Sequence, residues 1–160
     1  MGIEIERKFL VSNEAWRAAA SRRVRMRQGY LTREGPNSVR VRIAGDEARL
    51  NMKSAEIGTT RLEFDWPVPL ADAEQILDRL CHRPLIEKVR HFVVVAAHTW
   101  EVDEFEGANA GLIVAELELS AADEDFERPA WVGREVTQER RYYNQALVER
   151  PYSTWAKAER

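Results

Sequence analysis

The feature that most constrains this chain is an alternation of apolar and ionic residues with a period of two, repeated along most of its length. Successive side chains on a strand point to opposite faces, so this pattern builds sheets whose two faces differ sharply. It marks strands over 3–11, 23–32, 38–44, 47–54, 60–68, 85–96, 98–106 and 112–119. Several of the short gaps carry turn residues: Gly35-Pro36-Asn37, Ala44-Gly45-Asp46, Ile57-Gly58 and Glu106-Gly107-Ala108-Asn109. Such gaps favour antiparallel hairpins over the long crossovers that a parallel sheet needs. One helix is predicted after the Ser12/Asn13 cap signal, with Trp16, Ala19 and Ala20 on its apolar side. A second is predicted over 70–81, where Asp72 and Glu74 suit the N-terminal dipole and Ala73, Ile76, Leu77 and Leu80 form a stripe. A third falls in the 139–149 region, with another after Pro151. About eight antiparallel strands with a few helices predict an α+β fold, as either a closed barrel or a strongly curled sheet. The 160 residues contain no linker or repeat and are the length of a single domain, 1–160.

The polar phase of these strands is unusually ionic. Glu4, Glu6 and Lys8 oppose Ile3, Ile5 and Phe9, and Arg40 and Arg42 oppose Val39, Val41 and Ile43. Further strands add Asn51 and Lys53; Arg61, Glu63 and Asp65; Lys88 and Arg90; Glu101 and Asp103; and Glu116 and Glu118. Two readings follow. If these faces are solvated, their cross-strand ion pairs contribute roughly 0.2–1 kcal/mol each. That arrangement leaves one very large ionic sheet surface. If the sheet closes around them, the charges line an interior that needs internal pairing, water, metal or a polyanion. Arg and Lys suit phosphate oxygens, and carboxylates suit Mg2+ or Mn2+, so a face carrying both fits metal-assisted phosphoryl chemistry.

Composition narrows the function classes. The 24 Lys and Arg against 27 Asp and Glu give a net charge of −3 and a pI near 5.7. That balance argues against a basic surface for nucleic acid or membrane. The one cysteine, Cys81, excludes an intramolecular disulfide framework and reads as a packed thiol in a cytoplasmic protein. The N-terminus is charged from Glu4 onward and shows no apolar leader, and the longest apolar run, Phe92 to Ala97, is too short to span a membrane. His82, His91 and His98 lack zinc-ligand spacing and are expected in surface or packing roles. Trp16, Trp66, Trp100, Trp131 and Trp155 are expected in the core or in helix packing. No P-loop or nucleophile-elbow motif is present.

The ionic residues, taken in order, resemble the CYTH, or triphosphate tunnel metalloenzyme, family. Glu4-Ile5-Glu6-Arg7-Lys8 matches its Glu-x-Glu-x-Lys signature. The likeness continues through Gln28-Gly29-Tyr30-Leu31, Val39-Arg40-Val41-Arg42, Met52-Lys53, Arg61-Leu62-Glu63, Lys88-Val89-Arg90, Asp103-Phe105, Glu116-Leu117-Glu118, Val136-Thr137 and Arg141-Tyr142-Tyr143-Asn144. It departs at Asn51, where Thr is expected before the lysine. The chain looks most like the small bacterial members. The resemblance implies a tunnel of eight antiparallel strands, a closed β-barrel with helices packed on the outside, that binds a linear triphosphate with a divalent metal.

On that resemblance the expected substrate-binding residues are Lys8, Arg40, Arg42, Lys53, Arg61, Lys88 and Arg90. The expected holders of Mg2+ or Mn2+ are Glu4, Glu6, Glu63, Glu116 and Glu118, joined by Asp103. Lys8 either pairs with phosphate or helps Tyr30 activate water, and Tyr30 is either part of that chemistry or a structural residue of the tunnel wall. The implied activity is inorganic triphosphatase. Thiamine triphosphatase, nucleoside triphosphatase, adenylate cyclase and a non-catalytic polyphosphate- or nucleotide-binding module stand as alternatives. The expected partner is a small triphosphate, without nucleic acid or membrane, and a homodimer packed through the barrel exterior is left open.

Overall fold

A computed structural model describes residues 2–33, 35–55 and 60–160. The turn expected at Ile57-Gly58 lies outside them. The alternating segments form β1 (Gly2–Val11), β2 (Arg22–Tyr30), β3 (Ser38–Ala44), β4 (Glu47–Lys53), β5 (Thr60–Pro67), β6 (Ile86–Val95), β7 (His98–Phe105) and β8 (Ile113–Leu119). All pair antiparallel in the order β5-β4-β3-β2-β6-β7-β8-β1, and β5 returns to β1 to close the barrel. The closing pairs run from Gly2↔Glu63 to Ile5↔Thr60. Closure decides between the two readings of the ionic phase, because it turns that phase inward.

A ninth strand, β9 (Val132–Glu135), was not expected. It joins the edge of β1 that β5 leaves free, pairing Phe9↔Glu135 and Val11↔Val132. Hairpin geometry is local where the turn residue permits it. Gly45 has φ 62° between β3 and β4, the left-handed backbone that a tight hairpin needs.

Outside the barrel, the apolar phase is covered in two places. Phe9, Val93, Trp100, Val102, Ala115 and Leu117 pack beneath Trp16 and Trp131. Trp16 belongs to α1 (Trp16–Ala19), a single turn preceded by Asn13, whose Oδ1 accepts the Ala15 N–H at 2.9 Å. On the far side Val41, Ile43 and Ala48 pack under Ala73 and Leu77 of α2 (Leu70–Arg79). That helix ends sooner than its stripe suggested, so Leu80 is exposed. The outward residues of β5 and its neighbours have no such cover: Ile3, Met52, Leu62 and Trp66 are exposed. Trp66 therefore departs from the expected core role and stacks on Phe64 instead.

His91 packs edge-on against Trp16, His98 meets Glu124 at 2.7 Å, and His82 Nδ1 accepts from Arg33, as packing or surface roles require. Cys81 is half-buried, and burial pushes its thiol pKa up. It sits against Gly29, where an added Cβ would stand 2.6 Å from Cys81 Cβ and 2.9 Å from Leu85 Cδ2. Gly29→Ala should therefore cost about 1–3 kcal/mol through overpacking, seen as a lower denaturant midpoint with an unchanged m-value. The described residues contain no helix long and apolar enough to cross a membrane.

The remaining helix, α3 (Asn144–Glu149), does not lie on the outer wall. Its Leu147 and Val148, with Tyr142 and Trp155, cluster with Tyr30, Ile86, Phe105 and Val114 at one end of the barrel. There the inward phase is apolar, and the C-terminal segment packs across it.

Candidate active site

The carboxylate wall is built by register. β1 supplies Glu4, Glu6 and Lys8, and β8 sets Glu118 opposite Glu6 and Glu116 opposite Lys8. β7 sets Glu101 opposite Glu116, while β5 sets Arg61 opposite Glu4 and Glu63 opposite Gly2. Two of these cross-strand pairs, Glu6–Glu118 and Glu101–Glu116, are like-charged, which disfavours the sheet unless cations compensate. Some compensation is present. Lys8 Nζ lies 2.8 Å from Glu116 and 3.0 Å from Glu6, and Glu4 meets Lys53 at 2.6 Å and Arg61 at 3.5 Å.

The compensation is incomplete. Burial, then the charges of Glu4, Glu101, Glu63 and Glu6, raise the Glu118 pKa. Burial also raises Glu101, against the pull of Arg90. Glu4 Oε2 is buried without a hydrogen-bond donor. Among the described residues no three such groups already surround one point, since their oxygens are turned toward Lys and Arg. The donor chemistry nevertheless fits a hard divalent cation: all-oxygen, anionic and crowded.

The basic wall faces it. Burial together with the neighbouring Arg40 and Arg90 cations disfavours the charge on Arg42. Burial also lowers the Lys53 pKa; Glu6 opposes this, and Arg40 adds to it. Arg40 Nε is buried without an acceptor. Arg42 Nε donates to Gln28 Oε1 at 3.0 Å, and Gln28 Nε2 donates to the Tyr30 hydroxyl at 3.3 Å. Tyr30 thus reaches Arg42 through the Gln28 amide. Asn51, the departure from the family pattern, donates to Glu63 Oε1 at 2.7 Å and so steadies that carboxylate.

Lys8 behaves differently from the other cations. Burial alone would lower its pKa, but Glu116 and Glu6 together hold it well above the ordinary lysine value. Its nearest charged neighbours are carboxylates, not cations. The aromatic ring over its ammonium is that of Tyr143, 4.8 Å away.

A cavity of about 510 Å³ separates the two walls. Of the expected residues, Glu4, Glu6, Lys8, Tyr30, Arg40, Arg42, Lys53, Arg61, Glu63, Arg90, Glu116 and Glu118 all line it. Lys88 and Asp103 are set behind that lining. Asp103 is fully buried, takes Arg90 on both oxygens at 2.7 and 2.8 Å, and meets Lys88 Nζ at 2.6 Å. Those cations pull its pKa below the ordinary value in spite of burial, while burial pushes Lys88 down to about 7 against the attraction of Asp103.

Sequence reasoning favoured Asp103 over Glu101, yet Glu101 lines the cavity and meets Arg90 Nη1 at 2.5 Å. Both lie in the same strand phase, so alternation could not separate them. Tyr143 and Gln145 also line the cavity, from the non-strand C-terminal segment.

Comparison with known proteins agrees with this geometry. The CYTH domain matches residues 2–152. A relative named inorganic triphosphatase from Acetivibrio thermocellus is 44% identical over 155 residues, 97% of this chain and 99% of that protein. Another of that name from Nitrosomonas europaea is 34% identical over 149 residues, 91% and 96% of the two chains. The crystal structure of an inorganic triphosphatase superposes with a TM-score of 0.66 at 31% identity, covering 92% of this chain and 95% of that one. A protein structure from Pyrococcus horikoshii shares the fold at a TM-score of 0.59 and 19% identity, over 75% and 81% of the two chains. With the family matched across nearly all of its length, the chain belongs to the CYTH family, whose triphosphate tunnel enzymes work with a divalent metal.

Proposed function

We propose that this chain hydrolyses inorganic triphosphate with Mg2+ or Mn2+, breaking a terminal phosphoanhydride bond to release phosphate. The observation that carries the reading is the cavity with two self-repelling walls. Burial and then neighbouring cations disfavour the charge on Arg42 on one side, and burial and then neighbouring carboxylates disfavour that on Glu118 on the other. A polyphosphate relieves the first and a divalent cation the second, so the two belong together in one site. The near-full-length relatives named inorganic triphosphatase support the choice of substrate.

In this proposal Arg40, Arg42, Lys53, Arg61 and Arg90 grip the phosphate oxygens, and Lys8, held protonated, adds a cation at the reacting end. Lys88 contributes from behind, where it shares Asp103 with Arg90. Glu4, Glu6, Glu63, Glu116 and Glu118 hold the metal, with Glu101 beside them, and Asp103 organises the basic wall. When bound, a divalent ion supplies charge neutralisation and a water of lowered pKa. Tyr30 positions Arg42 through Gln28.

The test is phosphate release from tripolyphosphate, ATP, thiamine triphosphate and pyrophosphate, each with Mg2+ or Mn2+. The expected result is fastest release from tripolyphosphate and none in EDTA. Release from none of the four would overturn the reading, and faster release from ATP would move it to nucleotides.

A further inference from the structure

Among the described residues, β5 pairs with β1 as far as Ile5 and β9 takes up the same edge at Phe9, so Glu6, Arg7 and Lys8 lie between the two runs. The segment after β9 reaches the last of these. Lys8 N–H donates to Thr137 Oγ1 at 3.0 Å, and Lys8 C=O accepts the Val136 N–H at 2.8 Å. A side-chain hydroxyl therefore stands where a partner strand would present a carbonyl.

The hydroxyl is itself fixed. It donates to Glu135 Oε2 at 2.6 Å, and Glu135 takes Arg7 on both oxygens, at 2.9 and 2.5 Å. Thr137 is 3% exposed, so this bond is shielded from competing water. The same residue reaches the other end of Lys8. Tyr143 O–H donates to the Thr137 carbonyl at 2.7 Å, and the Tyr143 ring lies over the Lys8 ammonium and 5.6 Å from Arg61 Cζ. An aromatic face attracts a cation so placed, more strongly where water is excluded.

We infer that Thr137 is a positioning residue for Lys8, fixing its backbone through the hydroxyl and its ammonium through Tyr143. The effect on turnover rests on the proposed role of Lys8 at the reacting phosphate. The brace itself does not, so the two can fail separately.

Thr137→Val keeps the shape and removes the hydroxyl, and Thr137→Ser keeps the hydroxyl. Thr137→Val should lower kcat/KM for tripolyphosphate roughly tenfold, short of the 10²-fold that a misplacement of about 1 Å can cost. Thr137→Ser should stay within about twofold of the parent. Tyr143→Phe retains the ring, frees it from Thr137, and should fall between them. Hydrogen exchange of the Lys8 amide is the readout that needs no turnover. It should quicken at least tenfold in Thr137→Val and return to the parent rate in Thr137→Ser.

An unchanged Lys8 amide in Thr137→Val, or a Thr137→Ser variant as slow as Thr137→Val, overturns the inference. If Thr137→Val fails to fold, the Tyr143→Phe kinetics and the Thr137→Ser exchange rate decide it. Parent-like kinetics for the first, or quickened exchange in the second, then overturns it. An exchange response in a chain that releases no phosphate would leave the brace standing and remove the triphosphatase reading.

Discussion

Glu4→Gln should slow phosphate release from tripolyphosphate by about 10²–10³-fold, the scale on which removing one preorganised electrostatic group acts. The side chain keeps its volume, so the barrel is preserved. What changes is charge. Glu4 is buried against Lys53 at 2.6 Å, and its second oxygen lies 3.5 Å from Arg61 without a hydrogen bond. Removing the charge takes an oxygen ligand from the metal wall and a counter-charge from two neighbouring cations, Lys53 and Arg61. The apparent affinity for Mg2+ or Mn2+ should therefore fall along with turnover, measured by titrating each metal at saturating substrate. Parent-like turnover and metal dependence would show that the carboxylate wall is not where the metal is held.

Asp103→Asn should lower stability by about 3–5 kcal/mol, the cost of breaking a buried ion pair from one side. Arg90 is the reason. Its guanidinium cannot shed its proton, and it would keep its charge in a buried site with Glu101 and Glu116 as its remaining carboxylates. Lys88, already pushed down to about 7, can lose its proton and escape the penalty. The cost should consequently change little in a Lys88→Met background. Denaturant unfolding of the two single variants and the double variant measures this directly.

The loss should also depend on pH in a defined direction. Arg90 and Lys88 hold Asp103 below its ordinary 3.8, and Lys8 and Arg90 hold Glu116 below 4.5. Below those ordinary values the unfolded chain takes up protons that the folded chain refuses. The stabilisation is fully present above about pH 5 and drains away as pH falls through the folded values. The gap between parent and Asp103→Asn should accordingly narrow below pH 5, and narrow again as pH rises through about 7, where Lys88 in the parent gives up the proton that Asp103 helps it keep.

The strands were legible because each carries its own two-phase pattern, and β1 through β8 lie where the pattern puts them. What the pattern leaves open is which side of the sheet meets water. That depends on Gly2–Ile5 pairing with Thr60–Glu63, a contact between segments that share no local signal. The β6–β7 hairpin shows a smaller limit. It turns on Ala96-Ala97, with Ala96 at φ 54°, a position where glycine or asparagine would have announced the turn. β9 is four residues long and pairs with part of an edge, too short to show a period. Within the site, phase selected the inward residues but not their height along the barrel. Glu101 and Asp103 therefore read alike until register set the first on the cavity and the second behind it.

The strand bearing Glu4, Glu6 and Lys8 leaves the ribosome before any of its partners. β5, β8 and β9 all follow it, and Thr137 comes 129 residues after the amide it caps. A nascent chain thus carries Ile3, Ile5 and Phe9 without strand neighbours through much of its synthesis. Contacts of such separation slow folding relative to helical proteins of similar size, since loop-closure entropy is lost before the pairing is gained. A chain halted just short of Thr137 would already contain the strands of the barrel, yet its Lys8 amide would lack the hydroxyl that caps it.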